Sequence, residues 1–156
     1  MKLWHGVVAL LSIALVAAVF FPVYAGDGQT RPTQCLSNVK QLAVGLQIYL
    51  TDSDDRLPAR GWLPEMEPYL KNDDMLTCPL VPHGHYGYAM NSALMGVGAN
   101  KVKDPEKTIL FFETDALGRG VVANLAARNR DRHDGKGSNV SYIDSHAKFI
   151  LKENEP

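Results

Sequence analysis

Three residues near the C-terminus, His133, Asp144 and His146, have side chains that could bind a metal or exchange protons. A hairpin and the loop before it could bring the three groups together into a metal or acid–base site. Turn chemistry also explains Asp144, because an Asp carboxylate accepts hydrogen bonds from the backbone of its own turn. Since no nucleophile accompanies the motif, we predict that these residues are structural and that the chain has no catalytic residue.

A second group of candidate ligands is the acidic run that contains Asp52 and Asp54. Several carboxylate oxygens in one loop are what Ca²⁺ requires, so these two residues are candidates for a calcium site. The spacing does not match the EF-hand loop, and Asp-rich runs after helices are usually solvated turns. The chain also lacks the P-loop, GxSxG, HExxH and dinucleotide-binding motifs. We therefore predict no cofactor and no metal, with Ca²⁺ as the alternative.

The N-terminal segment predicts export. Residues 6–25 are apolar apart from Ser12 and Pro22, which is enough to enter a bilayer, and Lys2 favours a cytoplasmic N-terminus. The segment is either a signal peptide or a single membrane anchor. Val23-Tyr24-Ala25 fits the small-x-small rule, which places signal-peptidase cleavage between Ala25 and Gly26.

The remainder, about 130 residues, is long enough for one domain with a hydrophobic core. We expect residues 1–25 to be the signal or anchor, 26–32 a linker and 33–156 the globular domain. Beyond residue 25 the chain carries 15 basic and 17 acidic residues, a net charge of −2, and it shows no basic patch. This charge argues against nucleic acid as a partner.

Cys35 and Cys78 are the only cysteines of the sequence. Export would place them in an oxidising compartment, where a disulfide between them is expected. Closing a loop of about 44 residues would stabilise the fold by about 4 kcal/mol in the chain-entropy model. Two free buried thiols are the alternative.

Hydrophobic periodicity predicts one helix followed by strands. An apolar stripe with spacings of three and four runs from Leu36 to Leu50, and we expect Gly45 in this helix to allow another backbone to approach closely. Residues 62–71 predict a short apolar helix or turn, 83–91 an edge strand or loop, and 109–112 the central strand. Residues 118–132 predict a long loop with a possible helical turn, and alternation on both sides of Asp144-Ser145-His146 predicts a C-terminal β-hairpin. The fold class is thus α+β, with one helix on a small antiparallel sheet.

These motifs resemble the pilin-like proteins of the bacterial type II secretion and type IV pilus superfamily. The resemblance rests on Cys35-Leu36-Ser37-Asn38, Cys78-Pro79 and the terminal hairpin, and it is closest to the branch that ends in a His-x9-Asp-Gly motif. Here ten residues separate His133 from Asp144, and Ser145 replaces the usual Gly, so a different turn geometry is expected. The resemblance implies the same α+β pilin-like fold.

The pilin N-terminus is degenerate. Prepilins are cut after a Gly, which would be Gly6 here with Val7 as the new N-terminus, and a Glu usually stands five residues after that Gly. Leu11 occupies that position, so the carboxylate that sets subunit register is missing, as it is in some minor pseudopilins. The resemblance therefore points to a minor subunit or to a relative that has lost fibre assembly.

Three classes of function follow. The first, which we favour, is a non-enzymatic pilin-like or pseudopilin-like protein whose partners are other envelope or pilin-like proteins. It would be periplasmic or extracellular, or anchored in the inner membrane through residues 6–25. The second is a secreted or tethered binding module that presents loops 96–103 and 118–132. The third is a metal-dependent hydrolase that uses His133, Asp144, His146 and Asp115.

Overall fold

The computed structural model describes residues 2–24 and 27–154 of the chain. It divides into two compact units, residues 1–31 and residues 32–156. The helices are α1 (Lys2–Tyr24), α2 (Asp27–Asp52) and the short α3 (Trp62–Met66). The strands are β1 (Tyr88–Asn91), β2 (Ile109–Glu113), β3 (Val121–Ala123), β4 (Gly137–Tyr142) and β5 (Ala147–Leu151).

The apolar N-terminal segment forms α1, and every described side chain over residues 4–18 is exposed. Gly6 and Val7, the alternative processing site, lie inside this helix. The cleavage junction predicted at Ala25 and Gly26 lies outside the described residues. Over the part of the chain that the structure describes, no helix has both the length and the apolarity that a membrane crossing needs.

The segment 26–32, which the sequence predicts to be a linker, is described from residue 27 onward. Residues 27–32 are helical and form the start of α2, which contains Pro32. A proline inside a helix removes one backbone N–H and so loses one hydrogen bond. Gln29, Thr30 and Arg31 all keep their N–H groups, and the helix continues through the proline.

The amphipathic stripe of α2 is confirmed. Val39, Leu42, Ala43 and Leu46 are fully buried in the main core. A Cβ added at Gly45 would lie 3.3 Å from the carbonyl oxygen of Tyr69 and 2.8 Å from a methyl carbon of Leu70. The glycine therefore allows the close backbone approach that the sequence predicted.

The strands form one five-stranded sheet in the order β3-β1-β2-β4-β5. The prediction that β2 is the central strand is confirmed. Two other expectations are wrong: β1 lies inside the sheet rather than at its edge, and the sheet is mixed because β3 pairs with β1 in parallel. β3 occupies the segment predicted as a long loop, and its three residues are too few for a period-2 pattern to reveal it.

The core occupies both faces of the sheet. The larger cluster includes the buried stripe of α2, together with Trp62 of α3 and Phe111 of β2, whose rings meet edge to face at 5.0 Å. The indole nitrogen of Trp62 donates to the carbonyl of Val121 at 2.8 Å, which ties α3 to the edge strand β3. A smaller cluster around Phe112 and Val140 forms on the opposite face. Successive side chains of β2 and β4 point to opposite faces of the sheet, so these strands contribute to both apolar clusters.

The predicted C-terminal hairpin is confirmed as β4 and β5. Its turn differs from the expectation, because Ser145 adopts the left-handed backbone conformation, with φ of 71°, that the more common Gly would adopt. The Ser145 N–H donates to the carbonyl of Tyr142 at 3.0 Å and closes the turn. A residue with a Cβ accepts this strained conformation at a cost of about 1–2 kcal/mol.

We expect Ser145→Gly to raise the free energy of unfolding by about 0.5–1 kcal/mol, because it relieves that strain while adding backbone entropy to the unfolded chain. Ser92→Gly is the control, since Ser92 is the same residue type at an exposed position and its φ is not positive. The control should lose stability, by up to about 1 kcal/mol. Urea unfolding curves of the two variants would measure the difference, and equal losses in both would refute the strained turn.

Candidate functional site

The site is built around Glu113, a fully buried carboxylate at the end of β2. Glu113 follows Phe111 by two residues, so its side chain points to the same face of the sheet as Phe111. The register that pairs Phe112 with Val140 continues to place Asn139 of β4 beside Glu113. The backbone N–H of Asn139 donates to Glu113 Oε2 at 2.7 Å, and its side-chain amide donates to Oε1 at 3.3 Å.

His133 provides the remaining partner of the carboxylate. Its Nε2 lies 2.9 and 3.0 Å from the two oxygens of Glu113 and 2.8 Å from the Asn139 amide nitrogen. A carboxylate only accepts hydrogen bonds, so the imidazole carries its proton on Nε2 when Glu113 is ionised. The ring is 5 % exposed and packs edge to face on Phe149 of β5 at 5.4 Å. In the described chain its Nδ1 has no hydrogen-bond partner.

The loop before β4 fixes the position of the imidazole. Asp134 and Gly135 both have positive φ, of 55° and 73°, and the Lys136 N–H donates to the His133 carbonyl at 3.0 Å. These tight turns reverse the chain between His133 and the first residue of the strand. The side chain is thereby directed into the protein rather than into solvent.

The predicted disulfide is confirmed. Cys35 of α2 is bonded to Cys78, with 5.3 Å between their Cα atoms. The Cys78 sulfur lies 3.9 Å from Glu113 Oε1, so the disulfide contacts the buried carboxylate. Cys35, Cys78 and Glu113 form the one group of three or more potential metal ligands among the described residues, and here the two sulfurs are bonded to each other.

Asp144 and His146 lie elsewhere, in the hairpin turn. The Asp144 carboxylate accepts from the backbone N–H of His146 at 3.1 Å and lies 2.5 Å from its ring Nδ1. Burial raises the pKa of Asp144, but the hydrogen bonds and charge of His146 outweigh it, so the pKa lies below its usual value. The His133 imidazole lies beside Asn139 of β4, and five residues of strand and turn separate Asn139 from Asp144, a distance of roughly 15 Å. The structure therefore does not bring the three motif residues together.

The other candidates are also isolated from the buried site. Asp52 accepts from the Tyr69 hydroxyl at 3.1 Å, and Asp54 is an exposed turn residue with φ of 49°. The Asp115 carboxylate is largely exposed and contacts the side chains of Asn129 and Arg132. These carboxylates stabilise turns and loops.

Sequence reasoning did not find Glu113 and Asn139. One signal was present: Glu113 directly continues the apolar run 109–112 with no turn residue between them, which favours a buried carboxylate. Its partner could not be identified in the same way, because His133 lies 20 residues further along the chain. Only the pairing of β2 with β4 makes them neighbours.

A cavity of about 350 Å³ lies beside this cluster. His133 and Asn139 line its inner wall, Leu36 and Phe149 add apolar surface, and Lys136 contributes a cation. An imidazole oriented by a carboxylate is half of a nucleophilic site, since it would still need a hydroxyl or thiol to activate. Among the described residues, no Ser, Thr or Cys side chain forms a hydrogen bond with His133. The geometry thus fits a buried structural pair.

Comparisons with known proteins leave the family open. No protein-family model matches the chain, and no curated protein or solved structure is significantly similar to it. The fold is established as α+β by its own elements, and the pilin-like resemblance stays a prediction from the sequence.

We expect His133→Ala to lower the free energy of unfolding by about 3 kcal/mol or more, because it leaves the fully buried Glu113 carboxylate without its imidazole partner. His146→Ala is the matched control, since it removes the same pair of groups at an exposed turn and should cost less than about 1 kcal/mol. Chemical unfolding of both variants measures the difference. Similar losses in the two would contradict a central role for the buried pair.

Proposed function

We propose that the protein is an exported, non-enzymatic pilin-like protein that acts through protein–protein contact at the bacterial cell envelope. The observation that carries this proposal is the exposure of α1, in which Trp4, Leu10 and Leu15 are each at least 70 % exposed. Apolar side chains exposed along a helix favour burial against the helices of partner proteins. Such a helix in front of a folded domain is the layout of a tethered envelope protein.

The disulfide supports the export part of the proposal. Cys35 and Cys78 are bonded in the core, and stable disulfides form in compartments outside the reducing cytoplasm. The buried site supports the non-enzymatic part, because the N–H groups of His133 and Asn139 are used on the Glu113 carboxylate. The candidate residues of a metal hydrolase are not together, because the His133 imidazole lies beside Asn139 and the Asp144–His146 pair lies in the turn after β4.

The outer side of α2 supplies a surface for contact. Val44 and Ile48 are one helical turn apart and are 44 % and 50 % exposed, on the side opposite the buried stripe. They line a groove of about 290 Å³ together with Gly45, Tyr69 and Met75. Two exposed aliphatic side chains beside a groove favour docking of another pilin-like domain.

The first test is the intact, non-reduced mass of the protein from fractionated native cells. We expect a membrane-associated species that begins at Met1 or Val7 and lacks the two thiol hydrogens of Cys35 and Cys78. A soluble species that begins at Gly26 would contradict anchoring and favour the secreted binding module. A reduced protein in the cytoplasm would contradict the whole proposal.

We expect Val44→Glu with Ile48→Glu to reduce crosslinking of the protein to its envelope partners by about tenfold, because two charges would be placed in an apolar contact. The matched control is Val122→Glu with Leu125→Glu, which changes two aliphatic side chains that are 37 % and 38 % exposed elsewhere on the domain. Crosslinking in native cells followed by immunoblotting measures the change. Equal crosslinking in the two double variants would exclude the α2 groove as the contact surface.

A further inference from the structure

Cys35, Cys78 and Glu113 offer three metal-ligating atoms in one small volume. The two sulfurs and a carboxylate oxygen of Glu113 all lie within 4.8 Å of one another, and all three residues are fully buried. They come from α2, from the segment before β1 and from the end of β2. The fold itself therefore assembles the group from three separate parts of the chain.

In the oxidised protein the two sulfurs are bonded to each other. Reduction would give two thiols, whose sulfurs must move apart to about 3.8 Å to bind one ion. Thiolate sulfur selects Zn²⁺ among common divalent ions, and carboxylate oxygen is also a zinc ligand. With Zn–S distances of about 2.3 Å and Zn–O distances of about 2.0 Å, tetrahedral ligand atoms lie roughly 3.3–3.8 Å apart. The observed 3.9 Å between the Cys78 sulfur and Glu113 Oε1 is close to this requirement.

The surroundings of Glu113 also suit a metal ligand. Asn139 donates two hydrogen bonds to the carboxylate and His133 holds it through Nε2, so its orientation is fixed before any ion arrives. Partners of this kind orient ligating carboxylates in zinc sites and raise their affinity. A cation would also compensate the charge of a carboxylate that is fully buried.

We propose that the reduced protein binds one Zn²⁺ through the thiolates of Cys35 and Cys78 and the carboxylate of Glu113, with water in the fourth position. Two molecules of an external thiol reduce the disulfide to two thiols and are themselves oxidised to a disulfide, or one phosphine and one water do so and give the phosphine oxide. Zn²⁺ binding then releases the two thiol protons to solvent. The ion replaces the covalent link between α2 and the segment that holds Cys78. Cys35 and Cys78 would thus be linked in the core in both redox states, by a covalent bond in one and by the ion in the other. This inference is independent of the proposed function.

The first experiment uses the full chain, reduced with a phosphine that does not compete strongly for metal, with and without one equivalent of Zn²⁺. Because an ion that binds only the folded state stabilises it, we expect the unfolding midpoint of the reduced protein to rise by about 5–10 °C. The oxidised protein is the control and should show no rise. If the reduced protein unfolds without metal, Zn²⁺ should restore its native circular dichroism spectrum, and failure to do so would overturn the proposal.

The second experiment identifies the ligands with Co²⁺ as a probe. We expect one Co²⁺ per reduced chain, with a sulfur-to-cobalt absorption band and the visible bands of tetrahedral coordination. The band should be absent from Cys35→Ser with Cys78→Ser, and Glu113→Gln should weaken binding by about tenfold or more. Asp115→Asn is the matched control, because it changes an exposed carboxylate outside the group and should bind like the wild type. Less than one ion per wild-type chain, or a spectrum without the sulfur band, would overturn the proposal even if the Glu113 variant does not fold.

Discussion

The interaction on which the structure most depends is the burial of the Glu113 carboxylate against His133 and Asn139. A carboxylate without solvent needs donors on its oxygens, and here they come from the adjacent strand β4 and from the loop that precedes it. The hydrogen bonds to the Glu113 carboxylate therefore fix the register of β2 with β4 and the path of the loop. The C-terminal hairpin is held to the centre of the sheet by the same set of bonds.

The loop between His133 and β4 requires residues that can adopt a positive φ. After His133 the chain must turn back within a few residues to begin β4, and it does so through Asp134, Gly135 and Gly137, which all have positive φ. A Cβ at Gly137 would lie only 2.0 Å from the carbonyl oxygen of Ile150 on β5. The glycine is thus required by the close approach of two strands, whereas Asp134 accepts its conformation because its short polar side chain tolerates it.

The parts of the fold that could be predicted from the sequence are those with a local pattern. The stripe of α2, the apolar run of β2 and the alternation around Ser145 each show their periodicity within a few residues. The interior position of β1 and the parallel pairing of β3 depend on contacts between distant segments, which no window of sequence contains. The Glu113–His133 pair was missed for the same reason, because its two residues are 20 positions apart in the sequence. The helical conformation of residues 27–32 was missed because the Gly and Pro residues of this segment were taken as breaks.

The chain contains the same acid–histidine pairing twice, and burial decides what each pair does. Asp144 and His146 are two residues apart and partly exposed, and the His146 ring stacks on Tyr142, so the pair shapes a turn in which water could replace the lost hydrogen bonds. Glu113 and His133 are distant in sequence and shielded from solvent, so each is costly without the other. Sequence spacing therefore drew attention to the pair with the smaller energetic role. The pair with the larger energetic role is Glu113 and His133, and it lies next to the disulfide. The Glu113 carboxylate contacts Cys78 of the disulfide that holds α2, and it also contacts His133 in the loop before the hairpin.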